Sequence, residues 1–122
     1  MNYKETYAKA LRLLNVRFLS EGELRQKLRS RDASEECIDD VIAMLKKEHF
    51  IDDERLAADV YRYYARKGQY GHLYIVNKLR HRQLPVPEDR EPIDEYALAE
   101  RLIAKRFSLS VIRDMLDRFT WQ

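Results

Sequence analysis

The five residues Lys27-Leu28-Arg29-Ser30-Arg31 decide the fold, because they recur 51 positions later as Lys78-Leu79-Arg80-His81-Arg82. The similarity extends backwards, where Leu24 aligns with Ile75. A period of this length is typical of stacked helical units. Each copy places two apolar residues four positions apart on one helical face, with cations beside them. The sequence therefore predicts an all-α protein built from tandem helical units that carry basic ridges.

A weaker third copy begins 74 residues after the first. It consists of Leu98, Arg101, Leu102 and Lys105, and the same offset places Ser108 on Ser34 and Ile112 on Ile38. We predict an elongated, curved array of three units. They are a three-helix repeat over residues 1–51, a second repeat with a shortened or irregular third helix over 52–91, and a truncated, degenerate third repeat over 92–122.

Capping signals and apolar spacing predict the helices of the first unit. A first helix is expected over residues 3–15. Ser20 and Glu23 form a capping box that opens the second helix, and Ser34 caps the third. The apolar positions of the third helix recur at helical spacing, which predicts a core face of Ile38, Val41, Ile42 and Leu45.

The second unit repeats this pattern and then departs from it. Asp52 or Asp53 is expected to cap its first helix, Gly68 to end that helix in a left-handed turn, and Gly71 to open the next. All three prolines fall within 85–92. We therefore expect an irregular connection over 83–91 and a helix from Pro92, in its first turn, to about Arg106. A final helix is predicted after Ser108, with Val111, Ile112, Met115, Leu116 and Phe119 inward.

Charge distribution is more informative than the net charge of +2. The blocks 1–31, 32–54, 55–87, 88–100 and 101–122 carry +5, −7, +6, −5 and +3. Basic blocks coincide with the repeated motif, so the surface should be striped. No stretch approaches a membrane span or a signal-peptide core, and the single Cys37 forms no internal disulfide, which predicts a cytoplasmic protein.

Four motifs in order resemble the RecX family of regulators of the RecA recombinase. The stretch Ser20-Glu21-Gly22-Glu23-Leu24-Arg25-Gln26-Lys27-Leu28 is similar to the second helix of that family. Phe50-Ile51-Asp52-Asp53-Glu54-Arg55-Leu56-Ala57 resembles its junction between repeats, and Gly68-Gln69-Tyr70-Gly71 its glycine pair in the second repeat. Arg106-Phe107-Ser108 is similar to the end of its third repeat.

The resemblance implies a negative modulator of RecA, hence a role in homologous recombination, DNA repair and the SOS response of bacteria. Such proteins bind the RecA filament on single-stranded DNA, lie in its groove, and inhibit ATP hydrolysis, strand exchange and co-protease activity. The expected partners are the RecA filament and, weakly, single- or double-stranded DNA. The chain is expected to be a monomer without cofactor, metal or membrane association.

This sequence departs from the family at the residue that follows each basic helix, which is usually glycine. Asp32, Gln83 and Arg106 stand at those positions. Because non-glycine residues adopt left-handed conformations less readily, we expect these turns to be built differently.

The candidate binding residues are the cations of the repeated helices and of the acid-free stretch between Val60 and Pro87, which could pair with phosphates or an acidic groove. They are Arg25, Lys27, Arg29, Arg31, Arg62, Arg66, Lys67, Lys78, Arg80 and Arg82. Exposed aromatic side chains beside them could stack on bases or anchor a protein. These are Tyr63, Tyr70 and Tyr74, whereas Tyr61 and Tyr64 match the inward face of their helix.

Other interpretations of the same residues stay open at this point. The cations could form a solvated face that pairs with neighbouring acidic helices. The chain could instead be a DNA-binding protein of helix-turn-helix type, or a scaffold for another assembly. The acidic run 52–54 is better explained by helix capping than by metal binding. No motif indicates an enzyme.

Overall fold

The computed structural model describes residues 1–105, and these form six α-helices and no strand. The helices are α1 (Tyr3–Val16), α2 (Glu21–Arg29), α3 (Glu35–Lys47), α4 (Asp53–Lys67), α5 (His72–His81) and α6 (Glu95–Ala104). The all-α prediction is confirmed. The helix predicted after Ser108 lies outside the described residues. None of the six helices is long and apolar enough to cross a membrane.

Helices α1, α2 and α3 pack on one another around a first apolar cluster. The fully buried side chains include Leu24 and Leu28 from α2. The predicted core face of α3 is confirmed, because Ile38, Val41, Ile42 and Leu45 are all buried. Partly buried Tyr7, Leu11, Leu13 and Leu14 of α1 close this cluster.

Helices α4 and α5 enclose a second, smaller cluster. Its buried members are Ala57, Tyr61, Ile75, Leu79 and Leu84. Leu79 of α5 thus occupies the place that Leu28 of α2 occupies in the first cluster, as the repeat predicts. The clusters share no buried side chain within residues 1–105.

Helix ends follow the predicted capping signals closely. Ser20 and Glu23 form both hydrogen bonds of a capping box, and the Ser34 hydroxyl accepts a hydrogen bond from the Cys37 N–H. Asp52, rather than Asp53, is the cap of α4. Gly68 ends α4 with φ of 65°, in the left-handed region that glycine adopts without steric cost.

The turns after α2 and α5 are left-handed without glycine, so the expectation of differently built turns is wrong for both. Asp32 has φ of 62° and Gln83 has φ of 56°. In the first turn the Ala33 N–H donates to the Leu28 carbonyl, and in the second the Leu84 N–H donates to the Leu79 carbonyl. This six-to-one hydrogen bond defines a Schellman motif, which ties up carbonyls left free at a helix end. Arg106 lies outside the described residues.

The last described helix begins later than predicted. Pro92 is not in its first turn, because α6 starts at Glu95 and the Asp94 side chain accepts a hydrogen bond from the Ala97 N–H. The irregular connection before it is confirmed, since no helix forms between His81 and Glu95. Leu84 is buried and Ile93 packs on the second cluster, so this connection is held against α4 and α5.

Truncation of the two equivalent leucines should destabilise the protein strongly. We expect Leu28→Ala and Leu79→Ala each to lower the free energy of unfolding by about 2–5 kcal/mol, because both side chains are fully buried. Leu73→Ala, at a leucine of α5 that is 77% exposed, is the matched control. Chemical denaturation followed by circular dichroism measures all three. Equal stability of Leu79→Ala and Leu73→Ala would contradict the assigned faces of α5.

The left-handed turns make a second stability prediction. Asp32→Gly should raise the free energy of unfolding by about 1 kcal/mol, because glycine removes the strain of a positive φ and a carboxylate from the negative end of α2. Gly68→Ala should lower it by about 1 kcal/mol or more, since the added Cβ is strained at a φ of 65°. Thermal denaturation compares the two. A destabilised Asp32→Gly would show that the Asp32 side chain makes a compensating interaction.

Candidate binding surface

The N-terminus of α2 is the point at which the second cluster is joined to the first. The Ser20 hydroxyl donates to the Arg82 carbonyl over 2.6 Å, and the Glu21 N–H donates to the Asp53 carboxylate over 2.9 Å. The Arg82 guanidinium contacts the Glu23 carboxylate and donates to the Phe18 carbonyl over 2.7 Å. The start of α2 is thereby bonded to both α4 and the end of α5.

The same arrangement recurs one unit later. The His72 N–H, which is equivalent to the Glu21 N–H, donates to the Glu95 carboxylate over 2.8 Å. Glu95 is the first residue of α6, as Asp53 is the first residue of α4. Each of these carboxylates satisfies an N–H at the start of an earlier helix, where the helix dipole favours negative charge. An acidic residue at the start of a later helix thus caps the start of α2 and, in the same way, the start of α5.

The pKa values of the carboxylates at this junction depend on partial burial and on the hydrogen bonds and ion pairs that offset it. Burial raises the pKa of Glu23, but the hydrogen bond from the Ser20 N–H and the Arg82 and Arg17 guanidiniums outweigh it, so the pKa is lowered overall. Burial raises the pKa of Asp53, and there the Glu21 N–H does not fully offset it. Glu23 is thus a stable anion that holds Arg82 within the fold.

A basic groove lies across this junction. It has a volume of about 450 Å³ and brings Lys27 and Arg31 of α2 beside His81 and Gln83 at the end of α5, with Arg17 at one edge. The Gln83 side chain reaches over Gly22, where an added Cβ would lie 2.2 Å from the Gln83 Oε1. We call this cleft the junction groove. It places the cations Lys27 and Arg31 of the first copy of the repeated motif beside the end of the second copy.

A second groove of about 480 Å³ continues from the first and shares Arg17 and His81 with it. Its wall carries Tyr63, Tyr64 and Lys78. We call it the tyrosine groove. The groove combines cations and aromatic rings with the single carboxylate of Asp59. Cations beside aromatic rings suit stacked bases next to a phosphate backbone.

Tyr63 and Tyr64, which line this groove, pack in one cluster with Tyr70 and Tyr74, which do not line it. Tyr70 and Tyr74 are stacked with ring centroids 4.3 Å apart, and Tyr64 meets both edge to face. Tyr63 and Tyr74 are exposed, whereas Tyr70 is half-buried against the second apolar cluster. The Lys78 Nζ lies 5.3 Å from the centre of the Tyr74 ring, a cation–π contact that orients the lysine.

The predicted cations of α4 lie on a separate, shallow face. Arg62, Arg66 and Lys67 line it together with Tyr63, and Lys67 lies 4.6 Å from the centre of the Tyr63 ring. Contact with Tyr63 raises the pKa of Lys67. Arg62 is paired with Asp59 at 3.1 Å. This face adjoins the tyrosine groove through Tyr63 and Asp59, which line both.

The remaining predicted cations lie away from the grooves. Arg25 is paired with both Glu21 and Asp39, and Arg29 with Glu35. These contacts leave the Arg25 side chain only partly exposed, as expected for a cation that stabilises a neighbouring acidic helix. Arg80 is exposed on α5 and lines neither groove.

The two residues that line both grooves, Arg17 and His81, were not among the residues predicted from the sequence. Arg17 lies in the extended segment after α1 and faces both grooves, and His81 ends α5 between them. The repeat itself carries a signal for His81, because it is aligned with Ser30, which also lines the junction groove. Arg17 has no equivalent in the repeat, so only the packing of the two clusters reveals it.

Residues 1–105 are all-helical, are packed as small helical units and carry cations of both repeated helices on one continuous surface, which is the architecture of a tandem three-helix protein. Comparison with known proteins agrees with this class. The family model "RecX, first three-helix domain" matches residues 7–45, which span most of α1 to α3.

Relatives of the chain carry the name "Regulatory protein RecX". The protein of Pelodictyon phaeoclathratiforme is 34% identical over 111 residues, which cover 88% of this chain and 68% of the relative. That of Mannheimia succiniciproducens is 31% identical over 107 residues, covering 83% and 69%. The chain belongs to the RecX family of regulatory proteins.

Other relatives are much longer. The protein of Geobacillus kaustophilus is 31% identical over 103 residues, and these cover 84% of this chain but only 38% of the relative. The protein of Geobacillus thermodenitrificans is covered to the same extent.

Loss of Arg82 should weaken the junction. We expect Arg82→Ala to lower the free energy of unfolding by roughly 1–3 kcal/mol, because it leaves Glu23, whose side chain is 14% exposed, without its main partner. Arg80→Ala, at an exposed arginine of the same helix, should change stability by less than about 0.5 kcal/mol.

The Arg82 effect should also depend on pH. Because the pKa of Glu23 is lowered in the folded state, its contribution is complete above the ordinary value of 4.5 and is lost as the pH falls through the lowered value. Denaturant midpoints at pH 7 and pH 3 measure this. A difference between wild type and Arg82→Ala that is as large at pH 3 as at pH 7 would mean that Glu23 is not the relevant partner.

Proposed function

We propose that the chain is a negative regulator of the RecA recombinase. It binds the RecA filament on single-stranded DNA, lies in the groove of the filament, and inhibits ATP hydrolysis, strand exchange and co-protease activity by occupancy rather than by chemistry. Membership of the RecX family is the observation that carries this proposal. The monomeric state, the cytoplasmic location and the three-unit division at residues 51 and 91 belong to the same proposal.

The junction and tyrosine grooves support a contact with the nucleic acid part of the filament. Arg17, Lys27 and Arg31 face the junction groove against the single carboxylate of Glu23. Lys78 and the exposed Tyr63 extend this surface along α4 and α5. Cations pair with phosphates in a salt-dependent manner, and aromatic faces stack on bases without regard to sequence. This combination suits weak, non-specific binding of DNA.

A sequence-reading helix-turn-helix function is less well supported. Helix α3, which would follow the turn, carries Glu35 and Glu36 in its first turn, and Asp39 beyond them pairs with Arg25. Negative charge at this end would repel phosphates of the major groove. The scaffold alternative predicts no binding to RecA, so a measurement of RecA activity in the presence of the chain distinguishes it from the proposal.

The direct test is the single-stranded-DNA-dependent ATPase of RecA, titrated with the full chain at two salt concentrations. We expect inhibition at amounts below one chain per RecA protomer, weakening as salt rises because part of the affinity is electrostatic. Absence of any inhibition, together with absence of filament binding in a co-sedimentation assay, would refute the proposal and favour the scaffold alternative.

Charge reversal tests the grooves separately from the fold. Lys27→Glu with Lys78→Glu should weaken filament binding roughly tenfold or more, because two cations of the proposed phosphate-facing surface become repulsive. The matched control is Lys4→Glu with Lys47→Glu, which makes the same change of charge at residues that line neither groove. Fluorescence anisotropy measures binding, and circular dichroism checks the helices. If both pairs of substitutions weakened filament binding equally, the effect would come from net charge alone, and the grooves would not be the binding surface.

A further inference from the structure

The C-terminal end of α1 carries an apolar groove that the basic surface does not include. It has a volume of about 700 Å³, and its wall is formed largely by Leu11, Leu14, Val16, Phe18 and Phe50. Val16 is 84% exposed, Phe18 75% and Phe50 47%. Single exposed apolar residues are ordinary, but large ones gathered around one concave surface mark a contact site.

The backbone holds the two phenylalanines of this groove in place. The Phe18 carbonyl accepts a hydrogen bond from the Arg82 guanidinium, and the next residue, Leu19, is buried in the first cluster. The Phe50 N–H donates to the Leu45 carbonyl over 2.9 Å, and the next residue, Ile51, is also buried. Both aromatic rings are therefore presented from anchored turns. Such preorganisation lowers the entropy cost of binding.

The charges at this groove have one sign. Arg12 and Arg17 are its only charged lining residues. Within residues 1–105 Arg12 forms no ion pair, and Arg17 stays 58% exposed while it contacts Glu23. A partner that offers apolar side chains flanked by carboxylates would match both the floor and the rim. Nucleic acid would match only the rim.

We propose that this groove, formed by Val16, Phe18 and Phe50 between Arg12 and Arg17, docks an acidic, amphipathic segment of the protein part of the filament. This inference rests on the proposed function and assigns separate surfaces to its two components. The apolar groove contacts protein, and the junction and tyrosine grooves contact DNA. Arg17 lines all three, so the surfaces are continuous and one bound chain can engage both components at once.

The test uses the full chain with Val16→Ser and Phe18→Ser combined. Both side chains are exposed, so the fold should be unaffected, as circular dichroism will verify. Leu73→Ser is the matched control, because Leu73 is exposed to a similar extent on α5 and lies outside the groove. Binding is measured by anisotropy to three targets: RecA filaments on single-stranded DNA, RecA without DNA, and the oligonucleotide alone. Arg12→Glu is a second, independent variant of the rim.

The double variant should bind filaments and free RecA roughly tenfold or more weakly, the loss expected when two large apolar contacts are removed, and should bind the oligonucleotide as wild type does. Leu73→Ser should bind all three targets within about twofold of wild type. Arg12→Glu should weaken the binding of RecA with less effect on the oligonucleotide.

Three outcomes would overturn the assignment, and they are distinguishable. If wild type and the double variant bind filaments equally well, the groove does not dock RecA although the proposed function stands. If wild type binds no filament, both fail together. If wild type self-associates in sedimentation and the double variant is monomeric, the groove is occupied by a second copy of the chain instead of RecA.

Discussion

The start of α2 is the constraint on which the rest of the described structure depends. A helix N-terminus presents four N–H groups without intrahelical partners, and a buried one must find acceptors. Here Ser20 is fully buried, and its hydroxyl both accepts from the Glu23 N–H and donates to the Arg82 carbonyl. Asp53 supplies a further acceptor from α4. The hydrogen bonds that the start of α2 requires thus position α4 and the end of α5 against α2. The basic grooves are formed by this packing.

This constraint changes the meaning of the repeated basic motif. The sequence treats Lys27, Arg31, Lys78 and Arg82 as equivalent cations, but the structure uses them differently. Arg82 also lines the tyrosine groove, but its guanidinium is bonded to Glu23 and to the Phe18 carbonyl, so it holds the junction together. Lys27, Arg31 and Lys78 line the grooves. A repeat in sequence therefore predicts the helix and its buried face, while the role of each charged side chain depends on which unit lies beside it.

Much of the fold could be predicted from local signals. The helix ends at Ser20, Ser34 and Gly68 depend on hydrogen bonds that span only a few residues. Such local signals can be recognised in a sequence. The Asp53 carboxylate was interpreted as a local cap, yet it bonds to Glu21, 32 residues away. The start of α6 was misplaced because the rigid proline is a weaker signal than the Asp94 cap two residues later. Long-range bonds and the choice between competing local signals need the packed structure.

The candidate site shows the same division. The charge blocks predicted which helices carry the cations, but they did not predict the role of each cation. Arg25 and Arg29 pair with acidic residues of α3. Lys27 and Arg31, on the same helix, line a groove. Likewise Asp32 and Gln83 adopt the left-handed conformation, which their residue types disfavour. Their hydrogen bonds to the preceding helix offset the conformational strain, a balance that depends on the buried residue after each turn.

The polar nature of the junction has a consequence for the order in which the protein opens. The Ser20–Arg82 bond spans 62 residues, whereas the Tyr7–Glu48 contact within the first cluster spans 41. Closing the longer loop costs slightly more chain entropy, and the bonds of the junction are hydrogen bonds and an ion pair between polar groups. Native-state amide exchange at the Glu21 N–H would therefore report a sub-global opening that parts the clusters while each stays folded. Such an opening would split the junction groove, so we expect this groove to be lost before the helices on either side of it unfold.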